Sequence, residues 1–398
     1  MKKMKKMKEM KKMKKMKKMK KMKKIAMITF HASHNNGSML QALALQTALQ
    51  QRNCDIEIID FSNEGQRNLY SVLPYPHNWK QCIKWLIWRS NYKELKRQHE
   101  AYETFSSKYF NLTEKSYTNN TQLEELDNKY DAFITGSDQV WNTRCMDADD
   151  AYFLTFVKDK PKFAYAVSLG ANNAFEGEQG LKYINYIRDF KGISVREKNA
   201  QKWIEQATGK KELITLDPTM LFDQEDWERI VEVKAEPIIP GKYIFYYCFG
   251  INEDIQIFLH KLSDRLQIPV YFIEAKEWTL KMCWRHRIHL VKQYGPDVYM
   301  NLVKYANLFI TSSFHGTAFG TIYRKNFWYI KSKDSESSQD DRATTFLSQL
   351  GLMPRYRTIK ELETINLYDK IDYKPVVENL NELRVVSNQY LSNIVDAI

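Results

Sequence analysis

The residues of this chain best suited to chemistry are Thr311-Ser312-Ser313-Phe314-His315-Gly316-Thr317. They follow an apolar run, Ala306 to Ile310, that predicts a buried parallel strand. They lead into small and apolar residues, Thr317 to Tyr323, that predict a closely packed helix. A strand-turn-helix junction of this kind leaves backbone N–H groups without intrahelical partners at the helix start, and these combine with the helix dipole into an anion site. Ser313, Gly316 and Thr317 would line it, with His315 at its lip. An imidazole ordinarily titrates near about 6.5, so His315 can donate a hydrogen bond or act as acid or base around neutral pH. The alternative is a histidine that caps its own helix and bonds a backbone carbonyl.

Three further stretches put reactive types at the ends of expected strands. Asp131 to Thr135 reads as a strand ending in Gly136-Ser137-Asp138-Gln139-Val140-Trp141-Asn142. In a parallel sheet the C-terminal strand ends face the ligand crevice, which places Ser137, Asp138 and Gln139 where a substrate hydroxyl could be bound or deprotonated. Asp138 could equally cap the next segment. Lys191 to Arg196 follows the same logic, and Arg196 is either half of an ion pair or a fork for phosphate or carboxylate. Near the start, strand Ile25 to Phe30, loop, helix Met39 to Gln51 and strand Cys54 to Phe61 form a βαβ opening. Asn35-Asn36-Gly37-Ser38 stands at its helix N-terminus. One glycine there excludes a dinucleotide fingerprint.

The elements that must position these residues fall into two alternating α/β series. At 398 residues the chain suits two domains. The first series runs to Leu216. The second holds strand Tyr243 to Phe249, helix Glu253 to Leu266, strand Pro269 to Glu274, helix Pro296 to Tyr305 and strand Leu308 to Ser312, then strand Asn326 to Ile330. Leu213 to Leu216 and then Asp217-Pro218-Thr219 mark the passage between them, because proline drives the preceding residue out of helical geometry. The expected boundaries are a tail at 1–24, domains at 25–216 and 217–335, and helices at 336–398. Trp79 to Phe105 reads as one long helix, with Trp79, Ile83, Leu86 and Ile87 at helical spacing among Lys80, Lys84, Arg89 and Lys93. Such a stripe suits a core or a cleft lid, and the alternative is a helix lying on an anionic membrane. Thr113 to Asp127 is polar and reads as a surface excursion.

The formal charge of +12 does not indicate a nucleic-acid binder. Residues 1–24 repeat Lys-Lys-Met with fifteen lysines and one glutamate, a net of +14, so the remaining chain carries −2. A period of three walks the methionines around a helix axis and builds no apolar face, so a disordered cationic extension is expected, with an anionic-lipid anchor as the alternative. The tail also lacks the apolar core of a signal peptide. Five cysteines without paired spacing fit reduced thiols in a cytoplasmic protein, with neither a metal site nor a disulfide framework. No apolar run is long enough to span a bilayer, which leaves peripheral contact with the inner membrane face as the available kind.

Five blocks in order resemble the polysaccharide pyruvyl transferase family. They are Asn36-Gly37-Ser38-Met39-Leu40-Gln41-Ala42, Gly136 to Asn142, Ser194-Val195-Arg196-Glu197, Leu216-Asp217-Pro218-Thr219 and Ser312 to Thr317, spread over about Ile25 to Arg355. Arg342 with Leu347 to Leu352 is similar to the family's closing helix. Members often carry aspartate where this chain has Ser312. The resemblance implies two Rossmann-like domains facing a cleft, as in B-type glycosyltransferases. It also implies transfer of the pyruvyl group of phosphoenolpyruvate to two hydroxyls of a sugar in a surface or exopolysaccharide precursor, releasing phosphate. The donor is then a substrate, with no separate cofactor, and the acceptor is a sugar or a lipid-linked oligosaccharide. In that setting Arg196, His315 and the Ser313-Gly316-Thr317 turn would hold the donor, and His315 would also protonate the leaving phosphate or the enol carbon. Asp138 would act as base, and Asn36, Gly37, Gln41, Ser137 and Gln139 would bind substrate, with Asn36, Gln41 and Gln139 on the acceptor side. A nucleotide-sugar glycosyltransferase and a non-catalytic glycan-binding relative are the competing readings.

Overall fold

The architecture comes from a computed structural model that describes residues 22–248, 250–331 and 340–398. The tail before residue 22, Phe249 and the domain boundary expected at 335/336 lie outside the described residues.

Two six-stranded sheets carry the fold. The first contains β1 (Lys23–Ile28), β2 (Cys54–Ile58), β3 (Ala132–Asp138), β4 (Lys162–Val167), β5 (Phe190–Val195) and β6 (Leu213–Ile214), in the order β2-β1-β3-β4-β5-β6. The second contains β7 (Ile244–Tyr247), β8 (Val270–Phe272), β9 (Ile288–Leu290), β10 (Leu308–Thr311), β11 (Phe327–Ile330) and β12 (Tyr356–Arg357), in the order β12-β11-β10-β7-β8-β9. Every pairing is parallel. Parallel sheets need cover on both faces, and the central strands comply: all of β3, β4, β7 and β10 is buried. Renumbered from its own start, the second sheet has the Rossmann order 3-2-1-4-5-6. Its connections reverse between β7 and β10, and those of the first sheet reverse between β1 and β3. Ligand crevices open at such switch points, outside the carboxyl ends of the strands.

The helices that matter to the crevice are α1 (Asn36–Gln50), α2 (Trp79–Arg89), α3 (Tyr92–Tyr109), α4 (Pro296–Tyr305), α5 (Phe314–Ile322), α6 (Arg342–Gln349) and α7 (Tyr373–Ala397). The last of these returns from the second sheet to the first. Arg384 of α7 donates to the carbonyls of Met220 and Phe222, Tyr390 donates to Ala164 O at 3.1 Å, and Ser387 Oγ accepts from Leu216 N at 2.9 Å.

Several expectations need correction. Trp79 to Phe105 is two helices, broken at Ser90-Asn91, where Asn91 Nδ2 donates to Thr279 Oγ1 at 2.8 Å. The aromatic stripe expected to be core or lid is largely in solvent: α2 has no buried residue, and Trp79 is 68 % exposed. The polar stretch from Thr113 to Asp127 is anchored by buried Tyr117, Leu123 and Leu126, with Tyr117 N bonded to Asp60 O. Leu213–Ile214, expected within the passage between domains, still pairs with β5, and Tyr356–Arg357, expected among closing helices, pairs with β11.

Candidate functional site

Each strand end at the crevice positions its residues by local means. After β1, Asn35 caps α1 with its side-chain oxygen, accepting from Gly37 N and Ser38 N. At the end of β3, Asp138 adopts φ +71°, a left-handed conformation that aspartate tolerates and that lifts its carboxylate off the strand line. After β6, Asp217 caps a short turn with proline at its first position, accepting from Thr219 N and Thr219 Oγ1. After β10, Ser313 caps α5 and accepts from Gly316 N. That capping starts α5 three residues earlier than its apolar pattern indicates and puts His315 inside its first turn.

These ends converge into one buried charge network. Arg196 donates through Nη1 to Asp217 Oδ2 at 2.6 Å and through Nη2 to Asp138 Oδ1 at 3.2 Å, while its guanidinium carbon lies 4.3 Å from the centre of the Phe314 ring. Ser38 Oγ donates to the other oxygen of Asp138 at 2.7 Å. His315 Nε2 stands 3.5 Å from Asp217 Oδ2, an electrostatic contact without hydrogen-bond geometry. Burial alone would raise both carboxyls. Arg196 and His315 outweigh it and hold Asp138 and Asp217 below the usual carboxylate range, Asp217 far below. Glu197 behaves oppositely: burial pushes it up to about 7 against the pull of Arg196, whose Nε is 3.9 Å from Glu197 Oε2.

In front of this network lies a cavity of about 580 Å³. Its wall comes from both sheets: Ser38, Asp138 and Gln139 on one side, Ser312, Ser313 and His315 on the other, with Asp340 and Arg342 at the start of α6. Arg342 is gripped by Asp340 through Nε at 2.8 Å and Nη2 at 2.5 Å. Burial would lower its pKa, but this pairing raises it and keeps the cation. Asp147 also faces the cavity; burial, helped by the charge of Asp138, pushes its carboxyl up to about 6. A larger hollow of about 690 Å³ around Lys158 to Lys162 lies by the amino ends of β4 and β5, the wrong side for a doubly wound sheet.

The structure places the expected site residues unequally. Asp138, Gln139, Ser313 and His315 face the cavity together. Arg196 sits behind it, occupied by two carboxylates and roofed by Phe314, and so does not line the wall. Ser137, Gly316 and Thr317 are support: Ser137 Oγ donates to Ala166 O, Thr317 Oγ1 to Ser313 O, and a side chain on Gly316 would meet Thr311 Oγ1 at 2.0 Å. Asn36 is fully buried, and Gln41 donates to Thr29 Oγ1 at 2.8 Å. Gly37 has a steric role. An added Cβ would stand 2.3 Å from His315 Cγ and Nδ1, so the imidazole of the second domain rests on the bare backbone of the first. Arg342, Asp340 and Asp147 on the wall, and Asp217 as the link behind it, were not among the expected site residues. Only Asp217 and Arg342 carried a signal, as parts of the resemblance.

The family model described as polysaccharide pyruvyl transferase matches residues 35–334, most of the chain. The chain belongs to this family. No curated protein sequence matches it. Among solved structures, a UDP-N-acetylglucosamine 2-epimerase superposes with TM-score 0.55 at 11 % identity, covering 95 % of this chain and 96 % of that one. The UDP-N-acetylglucosamine 2-epimerase of Rickettsia bellii gives 0.50 at 11 %, covering 94 % and 96 %. A putative UDP-N-acetylglucosamine 2-epimerase from Listeria monocytogenes gives 0.50 at 10 %, covering 94 % and 95 %. At these identities the likeness is one of fold. This pyruvyl transferase family member has the two-domain architecture of B-type glycosyltransferases and their epimerase relatives. Among the described residues no helix is long and apolar enough to cross a membrane.

Proposed function

We propose that the protein transfers the pyruvyl group of phosphoenolpyruvate to two hydroxyls of a sugar in a surface or exopolysaccharide precursor, free or lipid-linked, forming a ketal and releasing phosphate. The observation that carries this reading is the pairing of His315 and Asp138. They come from strand ends of different domains, are joined behind the wall through Asp217 and Arg196, and open on one cavity with Arg342. A dense anion such as the donor suits Arg342 and the capped first turn of α5.

In this scheme His315 delivers a proton to C3 of the donor, turning the methylene into a methyl group, and one acceptor hydroxyl attacks C2. The bond from C2 to the phosphate oxygen breaks, and the second hydroxyl adds at C2. Of the two hydroxyl protons, one replenishes His315 and the other leaves on phosphate. Asp138 is anionic throughout the neutral range and therefore a weak base towards a free hydroxyl. It acts as that hydroxyl becomes acidic on bonding to the electron-poor C2. Arg196 and Asp217 are positioning residues that fix the two reactive groups. No cofactor is required beyond the donor.

Phosphate release from phosphoenolpyruvate, measured against a panel of free and lipid-linked oligosaccharides, tests the reading. Loss of acceptor-dependent release in folded His315→Ala and Asp138→Asn supports it. Unchanged release in both, or turnover of nucleotide sugars in place of phosphoenolpyruvate, would overturn it.

A further inference from the structure

The surface of α2 is out of keeping with a helix of a freely diffusing protein. Trp79, Ile83 and Leu86, spaced four and three apart, lie on one helical face and are 68 %, 47 % and 63 % exposed, with Tyr75 at 72 % just before the helix. The opposite face is seated: Trp88 Nε1 donates to Lys276 O at 3.2 Å. No acidic residue occurs from 75 to 92, whereas Lys80, Lys84 and Arg89 are exposed beside the stripe. Lys80 lies over the ring of Trp79 and Arg89 over that of Trp85, so the cations border the apolar face.

The charge decides what covers this face. A symmetric contact with a second copy would set Lys80, Lys84 and Arg89 against themselves, and the chain's own tail, with fifteen lysines, has the same sign. An apolar stripe edged by lysine, arginine and tryptophan matches an anionic lipid surface, where rings enter the headgroup boundary and cations meet phosphates. We infer that α2 docks this protein on an anionic phospholipid bilayer. The helix stands beside the crevice: Lys84 and Trp88 line a side cavity of about 210 Å³ whose wall shares Leu69 and Tyr70 with the main one. Docking there brings the crevice to an acceptor carried on a membrane lipid. It goes beyond the proposed reaction and does not depend on it, since lipid binding needs neither donor nor turnover.

The test is cosedimentation of the full chain with phosphatidylglycerol/phosphatidylcholine vesicles and with pure phosphatidylcholine vesicles, at about 0.3 M salt to screen the tail's attraction. Wild type should partition to the anionic vesicles. Trp79→Glu/Leu86→Glu should lower partitioning by roughly tenfold or more, while Trp79→Phe/Leu86→Met should retain it. Hydrogen exchange should slow across 75–92 on vesicle binding. Equal partitioning of the charged variant, which assigns binding to the tail, would overturn the inference. So would a wild-type chain that ignores the vesicles, or a light-scattering dimer that the charged variant splits into monomers.

Discussion

Replacing Gly37 by alanine adds one methyl group where the two domains meet, and its effect follows from distances. The new Cβ would lie 2.3 Å from His315 Cγ and Nδ1, where ordinary contact begins near 3.4 Å, so the ring must recede by about 1.1 Å. It cannot recede freely. Phe314 packs edge-on at 5.3 Å, and the backbone carbonyl of His315 is held by Tyr299 OH at 3.2 Å. Helix propensity pulls the other way, favouring alanine by up to about 1 kcal/mol, so the melting temperature should move by only a few degrees. A reacting group displaced by about 1 Å costs on the order of 100-fold in rate, or about 2.7 kcal/mol. Gly37→Ala should therefore fold normally and lose about two orders of magnitude in kcat for phosphate release. A double-mutant cycle sharpens the test: an added Cβ at Gly37 also stands 2.6 Å from His315 Cβ, so His315→Gly, which removes ring and Cβ together, is the background in which Gly37→Ala should cost almost nothing more. Activity within about threefold of wild type, or equal losses in both backgrounds, would refute the idea that the imidazole rests on this glycine.

Further outcomes follow from the same network. Asp217→Asn leaves buried Arg196 short of a partner and should lower stability by about 3–5 kcal/mol in urea unfolding. Arg342→Ala should weaken phosphoenolpyruvate binding in calorimetry by about 1.5–3 kcal/mol, and Arg342→Lys should not restore it, because lysine cannot reproduce the fork held by Asp340. Burial pushes Asp147 up to about 6, so above that pH it adds a carboxylate to a cavity wall that already holds the anionic Asp138 and Asp340. KM for the donor should thus rise as pH increases through 6, and Asp147→Asn should flatten that rise. Glu197 has its folded pKa raised from 4.5 to about 7, so the folded state holds the proton more tightly and stability declines as pH rises through that window. Glu197→Gln should gain in melting temperature over wild type at pH 8 relative to pH 5; a difference independent of pH would exclude this account.

The fold was legible where caps and periodicity agree. Glu253–Leu266 and Pro296–Tyr305 have the bounds their patterns indicate, one capped by Asn252 and the other opened by proline. Asp138 and His315 were legible because strand ends in parallel sheets face the crevice. The direction of Arg196 was not: whether its guanidinium reaches outward or turns back depends on carboxylates 58 residues earlier and 21 residues later. Arg342 enters the site from a segment that returns after the second sheet, so no local pattern announces it. Strands β9 and β12, of three and two residues, are too short to show a period. The stripe on α2 has the spacing of a core helix, and spacing alone does not say which side faces water.

The returning helix α7 has a consequence for synthesis. Its buried Leu380, Leu391 and Ile394 belong to the same core as Ile25, Met27 and Ile56, and Lys23 of the first strand reaches the carbonyl of Val395. The first sheet to leave the ribosome is thus the last to be covered, its apolar back waiting for almost the whole chain to be made. A premature stop after residue 372, or a bulky fusion at the C-terminus, would spare the pairing of the second sheet and damage the domain farthest away in sequence.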